Sequence, residues 1–316
     1  MESATHSVRD SLAQLNNESR IDEAAPRLGI VLAAGHGKRI RSETSKMLHE
    51  IWGEATVLRV AKAINKGLDS PNQIIVVGIK GEEVAAATGK RMGRRFAYQE
   101  NLVLGRPAGT GDAVRVALGE FDASAQERDI YIFLGDMGLL TGEVVSQFRH
   151  SFEQANCDMM VLTGLYSGPS ESNYYGRIIR VPAADSKGTP SGPDEDRVIE
   201  IKEHKDILRI SEDVPYTVQF NGRSYDFSRK ELLETREINT GVFAFKETDL
   251  RCYIEEINTD NAQGEVMLTD LLHISNTTAK SCARPSQRAR KRSWRLTSKA
   301  CPDKCSVLRV SRPTTI

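Results

Sequence analysis

A glycine-rich turn with basic side chains follows the first strongly apolar stretch of the chain. Gly35 and Gly37 let the backbone approach a ligand closely, and exposed N–H groups in such a turn bind phosphate oxygens. Arg39 and Lys46 follow in the same loop. Two cations there suit a triphosphate, because charge develops on the oxygens of a transferring phosphoryl group. An ordinary turn is the alternative, whereas a dinucleotide fingerprint is excluded because Ile40 stands at its third glycine.

A carboxylate ends a second apolar stretch. The run Asp129–Leu134 is apolar after its first residue and leads into Gly135 and Asp136. Mg²⁺ prefers oxygen ligands and usually takes only one or two from the protein, so Asp136 suits a metal site. The alternative is that Asp136 caps the next helix.

Apolar runs alternate with stretches of helical periodicity over the first half of the chain. This alternation predicts an α/β fold with a Rossmann-like, mostly parallel sheet flanked by helices. In such sheets ligands bind outside the carboxyl ends of the strands, so the loops after Ala34 and Leu134 are the expected site. The predicted strands are Leu28–Ala34, Gln73–Ile79, Asp129–Leu134 and Cys157–Leu165, and the predicted helices are Ala55–Gly67 and Gly111–Phe121.

Changes in composition divide the chain into parts. We expect a flexible leader at 1–26, because this stretch is polar and has no sustained period. The main domain, 27–274, divides into a nucleotide-binding part at 27–165 and a part with shorter strands at 166–274. We expect a basic, disordered tail at 275–316.

The composition is typical of a soluble globular protein. Hydrophobic residues make up 39% and charged residues 27%, and no apolar run approaches the roughly 18 residues that span a bilayer. The N-terminus has no apolar signal region, so we expect a cytoplasmic protein without a membrane partner. The tail carries eleven Lys and Arg residues against one acidic residue. It is the one hint of nucleic-acid binding, which the acidic remainder of the chain argues against.

The glycine-rich segment resembles the signature of the sugar-phosphate nucleotidyltransferases. The run Leu32-Ala33-Ala34-Gly35-His36-Gly37-Lys38-Arg39, followed by Lys46, is similar to this signature, although the family usually has proline where Ser45 stands. Met47-Leu48-His49 fits the uridylyltransferases of N-acetylglucosamine 1-phosphate. The resemblance implies that Arg39 and Lys46 are catalytic. It also implies nucleotide contacts from Leu32, Ala33, Ala34, Gly35 and Gly37.

Further segments agree with this family in the same order along the chain. Gln99 resembles the glutamine that contacts the uracil edge, with a polar loop residue as the alternative. Gly109 and Thr110 open a Gly-Thr-Gly turn expected to contact nucleotide, and Asp112 follows where the family usually has histidine. The resemblance implies sugar contacts from Gly176, Glu203 and Asn239, so that the 166–274 part binds the sugar.

The strongest late match is Asn261-Ala262-Gln263-Gly264-Glu265, followed by Leu268-Thr269-Asp270. This pattern resembles the N-acetylglucosamine enzymes in particular. By this resemblance Asn261 is a second protein ligand of Mg²⁺ beside Asp136, and an amide oxygen next to a carboxylate suits that ion.

The resemblance covers about Leu28 to Leu272 and implies transfer of a uridylyl group from UTP to N-acetylglucosamine 1-phosphate, with Mg²⁺ as cofactor. Two alternatives stay open: another sugar 1-phosphate such as glucose 1-phosphate, or an inactive, truncated nucleotide-binding remnant. The sequence shows no hexapeptide repeat after Leu272. We therefore expect neither the acetyltransferase half of the bifunctional bacterial enzymes nor their β-helix trimer, and the sequence leaves the oligomeric state open.

Overall fold

The computed structural model describes residues 2–35, 45–123, 127–155 and 157–277, with the side chains of 2–6 and 277 left aside. Gly37 and Arg39 of the expected phosphate-binding turn lie outside the described residues. So does the basic tail from residue 278 onward.

Helices and strands alternate through the described part of the chain. The helices are α1 (Glu2–Asn17), α2 (Thr56–Leu68), α3 (Gly81–Thr88), α4 (Glu100–Val103), α5 (Thr110–Leu118), α6 (Gly142–Ala155), α7 (His204–Ile207), α8 (Arg229–Glu234), α9 (Glu247–Tyr253) and α10 (Asp270–Thr277). The strands are β1 (Arg27–Leu32), β2 (Glu50–Ile51), β3 (Glu54–Ala55), β4 (Gln73–Val77), β5 (Arg94–Tyr98), β6 (Asp129–Leu134), β7 (Met159–Leu165), β8 (Arg177–Arg180), β9 (Val198–Lys202), β10 (Tyr216–Phe220), β11 (Arg223–Phe227) and β12 (Glu237–Lys246). Within the described ranges, none of the helices is both long and apolar enough to cross a membrane.

The central sheet is mixed but mostly parallel, which confirms the predicted fold class. Its order over the described residues is β5-β4-β1-β6-β12-β8-β9, with β7 also paired to β12. The pairs β5–β4, β4–β1 and β1–β6 are parallel, and β12 runs antiparallel to β6, β7 and β8. Because four neighbouring parallel strands end at the same edge, the loops that follow them meet there.

Helix α2 shows how the helices are held on the sheet. Its apolar stripe, which includes Val60 and Ile64, is fully buried. Gly29 of β1 allows this close packing, because a Cβ at that position would come within 2.6 Å of the Ile64 side chain. The tight contact fixes β1, and with it the turn that follows Leu32, against the helical layer.

A second, smaller hydrophobic cluster lies on the antiparallel side of the sheet. It joins β8 and β9 to α7, α8 and the β10–β11 hairpin. Its buried side chains are Ile179, Val181, Ile199, Ile207, Val218, Phe220, Tyr225 and Leu232. The strands β8 and β9, which lie next to Gly176 and Glu203, therefore pack on a hydrophobic cluster of their own.

The first helix corrects our expectation of a flexible leader. Residues 2–17 form α1, and Leu12 is only 3% exposed in the main core. Asn16 holds the helix to the edge strand β5: its Nδ2 donates to the carbonyl of Phe96, and its Oδ1 accepts from the Phe96 N–H, both at 2.8 Å. These bonds satisfy backbone groups that an edge strand leaves unpaired. The segment is polar overall, so its narrow apolar stripe gave little signal.

We expect Leu12→Ala to lower the free energy of unfolding by about 2–5 kcal/mol, because it removes buried methyl groups and leaves a cavity. Urea denaturation followed by circular dichroism measures the change. Gln14→Ala on the exposed side of α1 is the matched control, with little expected effect. Equal stability of both variants would show that α1 does not pack on the sheet.

Candidate active site

The turn after β1 places the first group of predicted nucleotide-binding residues at the carboxyl edge of the sheet. Leu32, Ala33 and Ala34 are buried, and Gly35 is partly exposed. The Ala33 N–H donates to the carbonyl of Val76 at 2.9 Å, which continues the pairing with β4. The backbone that leads into the glycine-rich turn is therefore rigid up to Ala34.

Ser45 keeps the conformation that the family's proline would impose. Its φ is −58°, within the range that a proline ring fixes. The side chain is buried, and Oγ accepts from the Met47 N–H at 3.4 Å at the start of a short 3-10 helix. Lys46 is the first residue of this helix, so its backbone position is set by the Ser45 cap.

Lys46 and Asp136, predicted separately from two distant segments, form an ion pair. Lys46 Nζ lies 2.5 Å from Asp136 Oδ2. The register of β1 against β6 brings the two loops together, and the Gly135 N–H donates to the Leu32 carbonyl at 2.9 Å. Both side chains are about one-third exposed. An ion pair this open to solvent stabilises the fold little, so it can exchange partners when an anion or a cation binds.

Gln99 lies at the end of β5, at the same edge, and its side-chain amide is fixed. Its Nε2 donates to the Gly109 carbonyl and to Asp112 Oδ2, both at 2.9 Å. Gly109 has a φ of +129°, and a Cβ there would lie 2.5 Å from the Val266 carbonyl oxygen. Glycine is therefore required at this helix start for two reasons, the backbone conformation and the close contact.

The Gly109–Gly111 turn is bonded directly to the segment that carries the late motif. The Val266 N–H donates to the Ala108 carbonyl at 2.6 Å, and the Gly111 N–H donates to the Val266 carbonyl at 2.8 Å. Thr110 Oγ1 accepts from the Leu268 N–H at 2.9 Å. Two predicted motifs more than 150 residues apart thus form one structural unit, in which the Thr110 hydroxyl has a protein partner of its own.

Gly176, Glu203 and Asn239 come together as expected for one binding region. A Cβ on Gly176 would lie 2.8 Å from Glu203 Oε1, so glycine leaves room for that carboxylate. The Asn239 N–H donates to the Gly176 carbonyl at 2.9 Å, and Asn239 Oδ1 accepts from the Gly241 N–H at 2.8 Å. The latter bond fixes the bulge in β12 between Asn239 and Val242. The three residues are therefore positioned by the start of β8, the end of β9 and the strand β12.

Asn261 organises a tight turn that is attached to the helix after Glu203. Its Oδ1 accepts from the N–H groups of Gln263 and Glu265 at 3.1 and 3.3 Å. The next residue, Ala262, donates its N–H to Asp206 Oδ1 at 2.6 Å. The late motif is therefore bonded to the sugar-side residues at this end and to the Gly109–Gly111 turn at the other.

Three acidic residues, Glu203, Asp206 and Asp270, lie together, and two of them hold their protons unusually tightly. Burial, followed by the charges of Asp206 and Asp270 and against the opposing charge of Arg177, raises the pKa of Glu203 to about 7. Burial and the charge of Asp206 raise the pKa of Asp270 to about 6. Such values place Glu203 at its point of half-ionisation near neutral pH, where it can both accept and release a proton.

The donor chemistry of the site fits a hard divalent cation. Among the described residues, Lys46 is the one group that bonds to the Asp136 carboxylate, and it occupies only Oδ2. The amide oxygen of Asn261 already accepts two N–H groups, the longer at 3.3 Å. The remaining oxygen Oδ1 of Asp136 suits magnesium, with substrate oxygens completing the shell. The Asn261 oxygen could coordinate the ion only by giving up one of the two N–H bonds that it accepts. In the described ranges, no cluster of three or more His, Cys, Asp or Glu residues could hold a metal without substrate.

Sequence reasoning missed three acidic side chains of this region as site residues. Asp206 and Asp270 act on Glu203 through their charges, and Asp112 bonds to Gln99. Asp112 and Asp270 lie within or beside motifs quoted above, and Asp206 follows Glu203 by three residues, so their position beside a motif was the available signal. Their partners come from other elements, which sequence spacing does not show.

Comparisons with known proteins find similarity over most of the chain. A family model described as the MobA-like NTP transferase domain matches residues 29–171. Bifunctional protein GlmU of Paenarthrobacter aurescens is 33% identical over 79% of this chain and 42% of the relative. The corresponding protein of Streptomyces griseus is 34% identical over 79% of this chain and 43% of the relative. The chain thus spans less than half the length of these curated relatives.

Solved structures share the fold at low sequence identity. A UDP-glucose pyrophosphorylase in complex with UDP-glucose aligns with a TM-score of 0.53 at 12% identity, covering 78% of this chain and 85% of the other. A Bacillus anthracis protein named as a glucose-1-phosphate thymidylyltransferase, solved with sucrose, aligns with a TM-score of 0.51 at 16% identity, covering 78% and 80%. These structures show the fold alone, whereas the matched domain and the GlmU relatives make this chain similar to the sugar-phosphate nucleotidyltransferases over most of its length.

Proposed function

We propose that this protein transfers a uridylyl group from UTP to N-acetylglucosamine 1-phosphate, giving UDP-N-acetylglucosamine and pyrophosphate. The observation that carries the proposal is the placement of the segment from Asn261 to Asp270. Its bonds to the Gly109–Gly111 turn and to Asp206 join the nucleotide side of the edge to the sugar side. This segment also carries the residues that resemble the N-acetylglucosamine enzymes.

The chemistry requires positioning more than acid–base catalysis. An oxygen lone pair of the sugar 1-phosphate attacks the α-phosphorus of UTP in line. The bond from the α-phosphorus to the oxygen bridging to the β-phosphorus breaks, and its electrons leave with pyrophosphate. The attacking phosphate oxygen is already ionised, so no general base is needed. Lys46, with Arg39 seven residues before it in the sequence, stabilises the charge on the phosphoryl oxygens.

In this proposal, the ion pair of Lys46 with Asp136 opens when substrate binds. When the triphosphate enters, Lys46 turns to the phosphate oxygens, and the Asp136 carboxylate becomes available to a cation. Asp136 and Asn261 would hold the Mg²⁺ that this proposal requires. When bound, the ion neutralises phosphate charge and helps to align the reacting groups.

The sugar side supplies acceptors of fixed geometry. The ionised Glu203 accepts hydrogen bonds from sugar hydroxyls, next to the space that Gly176 leaves open. Asn239 lies beside it on β12, and its side-chain oxygen Oδ1 accepts from the Gly241 N–H, so that its NH₂ group would donate to a sugar oxygen. Both residues would bind the acceptor sugar rather than the nucleotide.

We expect pyrophosphate release from UTP only when both N-acetylglucosamine 1-phosphate and Mg²⁺ are present, and loss of release with a chelator. Parallel reactions replace the sugar phosphate by glucose 1-phosphate and UTP by dTTP. Faster turnover with glucose 1-phosphate would reassign the sugar. No release with any pair, from protein shown to be folded, would support the inactive remnant instead.

Asp136→Asn should lower kcat by about 100-fold or more while leaving the fold intact, since it removes the charge that binds the cation. The coupled pyrophosphate assay and a thermal denaturation curve measure the two effects. Asp213→Asn, at an exposed loop position, is the matched control and should behave as wild type. Nearly full activity in Asp136→Asn would remove this residue from the proposed metal site.

The acidic cluster predicts a pH dependence. Because the pKa of Glu203 is raised to about 7, we expect kcat/KM for the sugar phosphate to fall as pH falls through about 7. Asp206→Asn removes a charge that raises this pKa, so the acid limb should move to lower pH. The substrate phosphate itself titrates near pH 6, so the readout is the difference between variant and wild type.

The same pKa shift predicts an effect on stability with a defined sign. The native state binds the Glu203 proton more tightly than the unfolded state, so protonation favours folding below about pH 7. This contribution is complete below the unfolded pKa and is lost as pH rises through the native value. Asp206→Asn should therefore stabilise the protein near neutral pH. Coincident pH profiles of activity in variant and wild type would disprove the coupling.

A further inference from the structure

The side-chain amide of Gln99 has only one orientation that its surroundings accept. Its Nε2 lies 2.9 Å from the Gly109 carbonyl oxygen and 2.9 Å from Asp112 Oδ2. Both partners are acceptors without a hydrogen to donate, because one is a backbone carbonyl and the other a carboxylate. A rotated amide would place Oε1 against these two oxygens. The bonding network therefore determines which end of the amide is nitrogen.

Asp112 is itself fixed on both of its oxygens. Oδ2 accepts from Gln99, and Oδ1 accepts from Asn101 Nδ2 at 2.9 Å. The residue lies in the first turn of α5, where the helix N-terminus favours a negative charge, and it is only 3% exposed. A histidine, which the family usually carries here, would not offer two carboxylate oxygens to these two amides.

These bonds determine which atom of the Gln99 side-chain amide is left to contact a ligand. Both hydrogens of Nε2 are used, so the group can offer a ligand only its Oε1, which no described donor reaches. A uracil edge presents an N3–H that can donate to such an acceptor. A cytosine edge presents a lone pair at N3, and a fixed oxygen repels it unless the whole base moves toward its amine.

We infer that Asp112 is a positioning residue that fixes the Gln99 amide and so makes the site select uracil over cytosine, an inference that rests on the proposed function. The residue does not touch the nucleotide. It acts by preventing Gln99 from rotating to offer N–H to a pyrimidine N3. The specificity for the base is thereby assigned to a pair of side chains rather than to Gln99 alone.

The test compares dissociation constants for UTP and CTP, measured by calorimetry with Mg²⁺ and without sugar phosphate. The wild-type protein should prefer UTP, and Asp112→Leu should reduce this preference by about 10-fold, the value of one hydrogen bond to a charged group. UTP should bind more weakly, whereas CTP should bind as well as before or better. Loss of structure alone would weaken both nucleotides equally.

Asn101→Ala is the matched control, because it removes the other amide bound to Asp112 and leaves the bond to Gln99. Its UTP preference should equal that of the wild type. If Asp112→Leu does not fold, Asp112→Ala removes the same acceptor without added bulk and should show the same change.

The outcomes separate this inference from the proposed function. A UTP preference that is unchanged in the Asp112 variants would overturn the positioning role and leave the reaction standing. Wild-type protein that binds UTP and CTP equally would overturn the selection mechanism, even if it released pyrophosphate from UTP. Failure of the wild type to bind either nucleotide would contradict the proposed function, and the inference with it.

Discussion

The site depends on a short stretch of backbone pairing between the start of α5 and the segment around Val266. Val266 uses both its N–H and its carbonyl to bond the chain on either side of Gly109. The contact is so close that a side chain at Gly109 would meet the Val266 carbonyl oxygen at 2.5 Å. Without this junction the nucleotide edge and the late motif would be separate loops, each held only by its own element. With it, Gln99, Thr110 and the Asn261 turn belong to one hydrogen-bonded unit.

The charges of the site are arranged in two regions with opposite character. In the predicted phosphate-binding region, the charge of Lys46 offsets that of Asp136. Both side chains are partly exposed, so each can exchange its ion-pair partner at low cost in free energy. On the sugar side, Glu203 and Asp270 are more buried and face Asp206, so their carboxylates repel one another and are desolvated. Under the proposed function, substrate phosphates and a cation would relieve the first interaction, and hydrogen bonds from sugar hydroxyls would relieve the repulsion of the second. The two charge arrangements are thus complementary to a substrate that is both anionic and rich in hydroxyl groups, as the proposed function requires.

The pattern of apolar residues in the sequence predicts best those strands that are buried on both faces of the sheet. The runs that form β1, β4, β6 and β7 were evident as apolar stretches, and the carboxyl-edge rule then located the loops of the site. Strand β5 was missed because it begins with two arginines. Arg94 is nevertheless buried, with its guanidinium bonded to Gln73, and burial lowers its pKa to about 10. Helix α1 was missed because three apolar residues in a polar segment pack only when β5 is beside them.

Side-chain roles were predictable where a motif carries them and not where they depend on a contact between elements. Lys46 and Asp136 were each expected in the site, but their pairing follows from the β1–β6 register, which pattern alone does not fix. The charge coupling of Glu203 with Asp270 likewise requires α10 to begin beside the end of β9. In both cases the missing information is the three-dimensional arrangement of segments that are individually recognisable.

The two departures from the family pattern argue against a simple degenerate copy. A decaying site loses residues without regard to their partners, whereas here each departure has a matched local environment. Ser45 retains a proline-like φ and adds a cap to the Lys46 helix. Asp112 receives two amide donors, one of which is the residue proposed to contact the base. A carboxylate without hydrogen-bond donors at that buried position would cost several kcal/mol of desolvation. This cost is on the order of the net free energy of unfolding of a whole domain. At both positions the substituted side chain has hydrogen-bond partners. This is the pattern expected of a site that still binds its ligand.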